Sequence, residues 1–510
     1  MKKFVLFTVF ILLLLINLSF VEGAVITVCS AACTSTTIQG GINVAVSGDE
    51  VRITDSRTYN ENVSINQTVH LTTTASPTLF INSSNVTLQV DASNVTISNL
   101  RIVYNETSGT RAVINISGRS NTTIKNNTIE TKSSSSSAIY GRLSNSSFIL
   151  NNTIIMNGTS GSNIGLDFFN SFNNSFELNN ITINSTSGGS NTGISFTFQS
   201  DNNTISNNTI RVGGAPSPSY GIYFTYSSGT SGFGNKVVGN LINTSGAGTT
   251  VYGIYLLRFT DTLIANNTMV IVGRAAAAGE IISGIIVDDS SHRTTIFNNN
   301  IMVNGFEFSY GIYLQATGGA QVNNNSIRNN TINSTGEFLT NHGIYLLGDA
   351  RNNSIVGNNV SIGYKGSSVG IYINHNEATA QGVNEISSNT IKGFTEGSSQ
   401  GIRVDGLSTD YFLASTTVND NYVDMTSLSS SNNYGIRYNT YATSSNSIRR
   451  NTVITNGTST NYGIYVGTAQ GVVIEGNFIN TSSSDGNTIA KGSHAIILDT
   501  GAYSVDILNN

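Results

Sequence analysis

From about residue 25 to the end, apolar residues come in short bursts that alternate with polar ones, as in Asn202-Asn203-Thr204-Ile205, Asn207-Asn208-Thr209-Ile210 and Gly221-Ile222-Tyr223. The bursts are rich in Ile and Val, have a period of two, and are cut off by Asn, Gly and Ser. They are too short and too β-branched for helices, so they predict strands of a few residues joined by turns. The bursts also recur. A Gly-Ile-Tyr-like anchor appears at Gly221, Gly253, Gly284, Gly311, Gly343, Gly370, Gly401, Gly435 and Gly463, with weaker copies at Ala138, Gly165, Gly193 and Ala495. Successive anchors are roughly 27 to 34 residues apart, and most are followed by a pair of Asn-led bursts such as Asn352-Asn353-Ser354-Ile355 and Asn358-Asn359-Val360-Ser361-Ile362. Each unit therefore holds about three short strands.

A unit of this size cannot bury its own apolar face, whereas stacked units share a continuous Ile, Val and Leu core. The expected architecture is an all-β parallel solenoid of about 13 or more coils with three short strands per coil. At ~4.8 Å between strands it is a rod on the order of 70 Å long. Asn suits the turns because it tolerates left-handed backbone, and its amide can hydrogen-bond both up and down the stack.

Composition narrows the class. Only 10% of the 510 residues are charged, with no Trp, three Pro and two Cys; this excludes a coiled coil, a charged disordered chain and a disulfide scaffold. The formal charge of -5 leaves no basic footprint for nucleic acid. At the start, Lys2 and Lys3 precede an apolar run from Phe4 to about Val21, and Val21-Glu22-Gly23-Ala24 offers a small residue for cleavage. Residues 1–23 read as an export signal, with a membrane anchor as the outcome if the run stays uncleaved. Residues 24–510 are expected to form one domain whose N-terminal cap occupies about 24–50. Cys29 and Cys33 are close enough to bridge in an oxidising compartment; free thiols or an intermolecular bridge are the alternatives. The chain ends in one more strand-like burst, Ser504-Val505-Asp506-Ile507-Leu508, with no closing segment in its pattern. That is the expectation for a piece of a longer surface protein whose C-terminal cap is missing.

The run Thr37-Ile38-Gln39, Ile42, Ala45, Gly48-Asp49, Val51, Thr58-Tyr59, Glu61-Asn62-Val63 and Ile65 resembles the opening of right-handed parallel β-helix proteins of the pectin-lyase-like superfamily. The later Asn-Asn-Ser-Ile and Gly-Ile-Tyr units are similar to that superfamily's coils. The resemblance implies a short amphipathic helix capping the first coil. It says little about activity, because lyases, hydrolases, epimerases and non-catalytic surface proteins share the fold.

Glycosidases need two carboxylates roughly 5 to 10 Å apart. With the anchor Gly as position zero, alternation turns +1 and +3 inward and +2 and +4 outward. The +4 column (Asp288, Gln315, Leu347, Asn374, Asp405, Asn439, Gly467, Asp499) holds aspartates several coils apart, so no column pair suits a hydrolase. Two local groups are weak catalytic candidates: Asp288 and Asp289, followed by His292 and Arg293, and Asp405 beside Arg403. Turn chemistry and a surface ion pair explain them as simply. His342-Gly343 imitates a polygalacturonase motif two coils away. The histidines at 70, 292, 342, 375 and 494 show no metal-ligand spacing, so no cofactor is expected, and a calcium site in an Asp-bearing turn is compatible with the sequence without being singled out.

The +2 column reads Tyr223, Tyr255, Ile286, Tyr313, Tyr345, Tyr372, Arg403, Arg437 and Tyr465. It is expected either to stack as a ladder that stabilises the sheet or to offer ring faces and hydroxyls to sugars. Tyr220, Tyr252, Tyr310, Tyr434 and Tyr462, just before the anchors, are expected to pack in turns. Asn-x-Ser/Thr sites include Asn62, Asn85, Asn105, Asn184, Asn243, Asn333 and Asn480, to be used where the host glycosylates exported Asn. Together these features point to a secreted or cell-surface scaffold or adhesin-like protein that binds polysaccharide or surface glycans along the Tyr stripe without catalysing their conversion. The alternative is a polysaccharide lyase, hydrolase or epimerase.

Overall fold

The computed structural model describes residues 23–510 except 82–87, 106–111, 160, 186–188, 215–217, 227–231, 249, 274–278, 280, 376–381, 407–414, 429–431, 441–445 and 484–491. The proposed signal, residues 1–23, lies outside the described residues apart from Gly23. No helix among the described residues is long and apolar enough to cross a membrane.

The strands coil into a parallel solenoid with three sheets running its length. One turn is typified by the anchor strand Ser219–Thr225, the short strand Lys236–Val238 and the strand Leu241–Gly246, after which the chain returns to the anchor sheet at Thr250–Leu257. Within the three sheets the strands pair in parallel with their equivalents in the adjacent turns: Ile194 with Ile222, Ile222 with Ile254, Ile254 with Ile285. The inward Ile, Val and Leu of all three sheets are sealed from solvent in one continuous core. Between residues 168 and 259 that core carries stacked rings, with Phe196 and Phe224 parallel at 5.0 Å.

The tight turn between the second and third sheets uses two residues. The first has positive φ, as at Asn126, Asn151, Asn207 and Asn266, and projects into solvent. The second is a buried Asn whose Oδ1 accepts from the backbone N–H and Nδ2 of its equivalent one turn earlier. This ladder runs without a break from Asn127 through Asn152, Asn179, Asn208, Asn240, Asn267, Asn299, Asn330, Asn358, Asn389, Asn421, Asn451 and Asn477 to Asn510, with steps of 2.7–3.1 Å. Each Nδ2 also donates to a carbonyl of an earlier coil, as Asn330 does to Ile296 at 3.0 Å. Asn serves here because a single side chain must both donate and accept where water is absent.

At the N-terminal end, a helix over Ile38–Val44 lies across the first coil with Ile38 and Ile42 fully buried. Thr37 caps it by accepting from the Gly40 N–H at 3.0 Å, and the Glu61 carboxylate takes the Ile38 and Gln39 N–H groups at 2.8 and 3.0 Å. Cys29 and Cys33 form a disulfide beside it, with Cα atoms 5.6 Å apart.

One expectation is corrected. Strict alternation at the anchor places Gly on the outer face with the +2 residue, but the strand bends there and Gly faces inward next to the inward Ile. A Cβ on Gly221, Gly284 or Gly311 would lie 2.5 Å from the carbonyl oxygen of the next anchor Gly and 2.3–2.4 Å from an Ile of the third sheet. Only Gly fits. Because two consecutive residues point inward, the −1 residue points outward together with +2. Tyr220, Tyr252 and Tyr310 therefore lie in the anchor strands and not in turns.

Candidate functional site

Two tyrosine columns on one sheet face, 4–6 Å apart, change what each ring exposes. Tyr313, Tyr345 and Tyr372 stack at 5.1 and 4.9 Å with interplanar angles of 4° and 14°. Tyr310 and His342 close over them from the −1 column. These residues form a buried cluster of their own outside the main core. Burial holds the hydroxyls of Tyr252, Tyr310 and Tyr313 well above the usual tyrosine pKa and lowers His342 to about 3. In the middle of the stripe the ring faces are thus spent on one another. Tyr223, Tyr255 and Tyr465 are more open, and Arg403 covers the Tyr372 ring at 4.6 Å. Arg437 sits 5.4 Å from Tyr434.

A second pattern joins the stripe to the +4 column. Tyr255, Tyr372 and Tyr465 each donate from the hydroxyl to the Asp one turn on, at 2.7 Å to Asp288, 2.9 Å to Asp405 and 2.5 Å to Asp499. Asp405 also takes Arg403 and Asn439. The group around Asp288 is divided in the same way: Asp289 accepts from Thr317 N at 2.9 Å, His292 Nδ1 from Asn323 N at 3.1 Å, and Arg293 pairs with Asp261 at 2.7 Å. These carboxylates serve the coil stack, and none of them lines the depressions described below.

The open space lies upstream, where the stripe is broken. In the outward +2 column, Tyr140 pairs with Asp167, Asp167 with Ser195, and Ser195 with Tyr223. Two small residues between two tyrosines leave a groove about 14 Å long at the usual strand spacing. Tyr140, Tyr220 and Tyr223 wall it, Phe169 and Ile164 flank it, and Asp167, Thr192 and Ser195 form its floor; its volume is about 370 Å³. A neighbouring depression of about 310 Å³ shares Tyr140 and Asp167 and extends it past Ser135–Ser137. Asp167 accepts from the Ser137 hydroxyl at 3.2 Å and also from Ser195, but burial against the rings dominates and raises its carboxyl to about 6. Sequence reasoning missed Asp167 because the +2 column was read only from Gly221 onward; extended back to Gly165, it contains the one carboxylate among tyrosines.

Many Asn-x-Ser/Thr asparagines stand at positive-φ turn positions, among them Asn126, Asn151, Asn207 and Asn266, and others lie on the outer side of the third sheet. Asn184, Asn243, Asn333 and Asn480 are exposed there, Asn62 is exposed near the first coil, Asn105 is partly exposed, and Asn85 lies outside the described residues.

A family profile described as a right-handed β-helix region matches residues 109–242. With the three-sheet coil already established by strand register, this decides the fold. The chain folds as a right-handed parallel β-helix. A second profile, described as periplasmic copper-binding protein (NosD), matches residues 215–337 of this β-helix. That stretch offers one His, His292, and two Met. His292 already uses Nδ1, Met269 is sealed in the core, and Met302 projects from another sheet. No group of three His, Cys, Asp or Glu among the described residues can hold a metal, so these side chains do not fit a copper centre. No curated protein matches the sequence. Similar solved structures include the Azotobacter vinelandii mannuronan C-5 epimerase AlgE4 A-module, at 13% identity and a TM-score of 0.33 over 76% of this chain and 90% of that one. The catalytic domain of a GH87 α-1,3-glucanase in complex with nigerose is 11% identical, with a TM-score of 0.30 over 94% and 69%. The periplasmic alginate epimerase AlgG is 12% identical, with a TM-score of 0.28 over 80% and 77%.

Proposed function

We propose that this β-helix is an exported glycan-binding protein that holds a polysaccharide strand in the groove between Tyr140 and Tyr223. One observation carries the reading: the aromatic stripe, self-stacked elsewhere, opens at this point into a cleft with rings at both ends and polar groups on its floor. Rings supply apolar faces for sugar, and Asp167, Ser137 and Ser195 supply hydrogen-bond partners for hydroxyls. The Cys29–Cys33 disulfide supports an oxidising, extracytoplasmic location. The test is size-exclusion chromatography with light scattering against a panel of neutral and acidic polysaccharides. The expected result is co-elution with at least one polymer, weakened about 2- to 10-fold by Tyr140→Ala or Tyr223→Ala, the equivalent of about 0.5–1.5 kcal/mol per ring. Binding that ignores both substitutions would sink the groove.

A second reading, a polysaccharide-active enzyme, is favoured by Asp167. A carboxyl raised to about 6 is partly protonated in mild acid and can serve as a proton donor or acceptor. The same experiment reads it: shortening of the polymer, abolished by Asp167→Asn, would replace the binding protein with an enzyme.

A further inference from the structure

The third sheet carries a depression of about 430 Å³ on its outer face, on the opposite strand face from the core and on a different side of the solenoid from the Tyr140 groove. Four consecutive strands build it: Thr331–Gly336, Asn359–Tyr364, Thr390–Thr395 and Tyr422–Ser427. Their register places Asn333, Ser361, Lys392 and Asp424 in one outward column, about 14 Å from end to end. Two residues further along, Gly363 and Phe394 are neighbours in the next outward column.

Three features set this patch apart from ordinary solenoid surface. Phe394 is 60% exposed, although an outward ring could have stacked in a ladder as the anchor-sheet tyrosines do. Its neighbour is Gly363, where a Cβ would meet nothing closer than the Phe394 carbonyl oxygen at 3.3 Å, so one side of the ring opens over bare backbone. Beside this platform the Asn333 amide, the Ser361 hydroxyl and the Lys392 ammonium have no partner among the described residues, and Lys392 forms no ion pair with Asp424 across the strand gap. Elsewhere on this sheet opposite charges on neighbouring strands do close, even two residues out of register, as Arg101 and Glu130 do at 2.9 Å.

Asn333, Ser361 and Lys392 are thus free beside the ring, and Asp424 accepts from the Tyr422 hydroxyl at 3.5 Å with its other oxygen open. An apolar ring face flanked by such a row of donors and acceptors at strand spacing is the chemistry that recognises a sugar chain: ring carbons lie on the aromatic face while hydroxyls meet amide, hydroxyl, ammonium and carboxylate. We infer that this groove is a second glycan-binding site, with Phe394 as its platform and Asn333, Ser361, Lys392 and Asp424 as its polar edge. It is independent of the Tyr140 groove, and the two lie on different sheets, so one rod can hold two strands or cross-link them. Asn333 is itself the asparagine of an Asn-Ser-Thr site, so a glycan attached there would occupy the groove in place of a free ligand.

The test uses the exported chain made in a host without Asn glycosylation and titrated calorimetrically with two probes, a short oligouronate and a short neutral gluco-oligosaccharide. The inference expects at least one probe to bind, with affinity lowered about 2- to 10-fold by Phe394→Ala and abolished by Gly363→Leu, which fills the floor without entering the core. Tyr140→Ala should leave this binding component intact. A preference for the uronate that disappears in Lys392→Ala assigns the ligand as acidic, and equal loss of both probes assigns it as neutral. Failure of both probes to bind, or binding indifferent to Phe394→Ala and Gly363→Leu, overturns the inference. Binding lost in Tyr140→Ala but kept in Phe394→Ala overturns it while leaving the proposed function standing.

Discussion

Replacing one rung of the asparagine ladder tests whether it supports the stack. In Asn330→Ala, the Asn299 backbone N–H loses its acceptor at 2.9 Å, the Asn299 Nδ2 loses one of its two acceptors, and the Ile296 carbonyl loses a donor at 3.0 Å. The Asn358 Oδ1 also loses the Nδ2 bond but keeps the backbone N–H of residue 330. One buried donor is therefore orphaned outright at about 1–3 kcal/mol, and a small void adds to it, for a total of about 2–4 kcal/mol. Because each coil of a solenoid contacts only its neighbours, the damage should be local. Hydrogen–deuterium exchange read by mass spectrometry should show opening of segments 295–302, 326–335 and 354–364 accelerated about 30- to 1000-fold, which is 2–4 kcal/mol expressed as an equilibrium. Distant coils should keep their protection. Asn330→Asp is the sharper variant, since it retains the shape and the acceptor but places a carboxylate against the Ile296 carbonyl. It should be as damaging as Ala at neutral pH and recover in acid, when the protonated carboxyl can donate. Asn329→Gly, altering the exposed residue next door at φ 55°, should be near neutral. An acceleration below about fivefold in Asn330→Ala, or one spread evenly over the rod, would refute the reasoning.

Other outcomes follow from the same geometry. Gly311→Ala would put a Cβ 2.3 Å from Ile332 Cγ2 and 2.5 Å from the Gly343 oxygen; it should cost about 1–3 kcal/mol and lower the melting temperature, and an unchanged melt would contradict the inward-facing anchor. Asp167 is raised to about 6 from an unfolded value near 4, so the folded state holds its proton more tightly. Its contribution is fully present below about pH 4 and is lost as pH rises through about 6, so the denaturation midpoint should fall across that window in the wild type and less in Asp167→Asn. Near-ultraviolet titration should find Tyr252, Tyr310 and Tyr313 un-ionised until the chain unfolds, and early ionisation of the whole tyrosine set would show that the stacked cluster is open.

Period, strand type and the asparagine ladder were legible in the chain because each is a statement about one residue repeated at a fixed spacing. A β-branched burst between Asn turns can only bury itself by stacking on its own copy, and a buried Asn repeated every turn can only meet its own copy. The N-terminal helix was expected only through the resemblance of the run that begins Thr37-Ile38-Gln39, and it is packing on the first coil that buries its Ile38 and Ile42. The bend at the anchor glycines was not readable: it arises from an Ile of the third sheet and a carbonyl of the next coil, both far away in sequence. That bend moved the −1 tyrosines to the outer face, and with them the fate of the +2 rings, from open platforms to a stacked and largely buried cluster. Both grooves depend on what neighbouring coils lack. Asp167 lies in a cleft because it and Ser195, its neighbour one turn on, interrupt a column that carries Tyr140 before them and Tyr223 after them, and Phe394 is open because residue 363 has no side chain. A single chain position carries no trace of such an absence until the coils are laid side by side, so the sequence determined the stack while the lateral register of its turns decided where the surface opens.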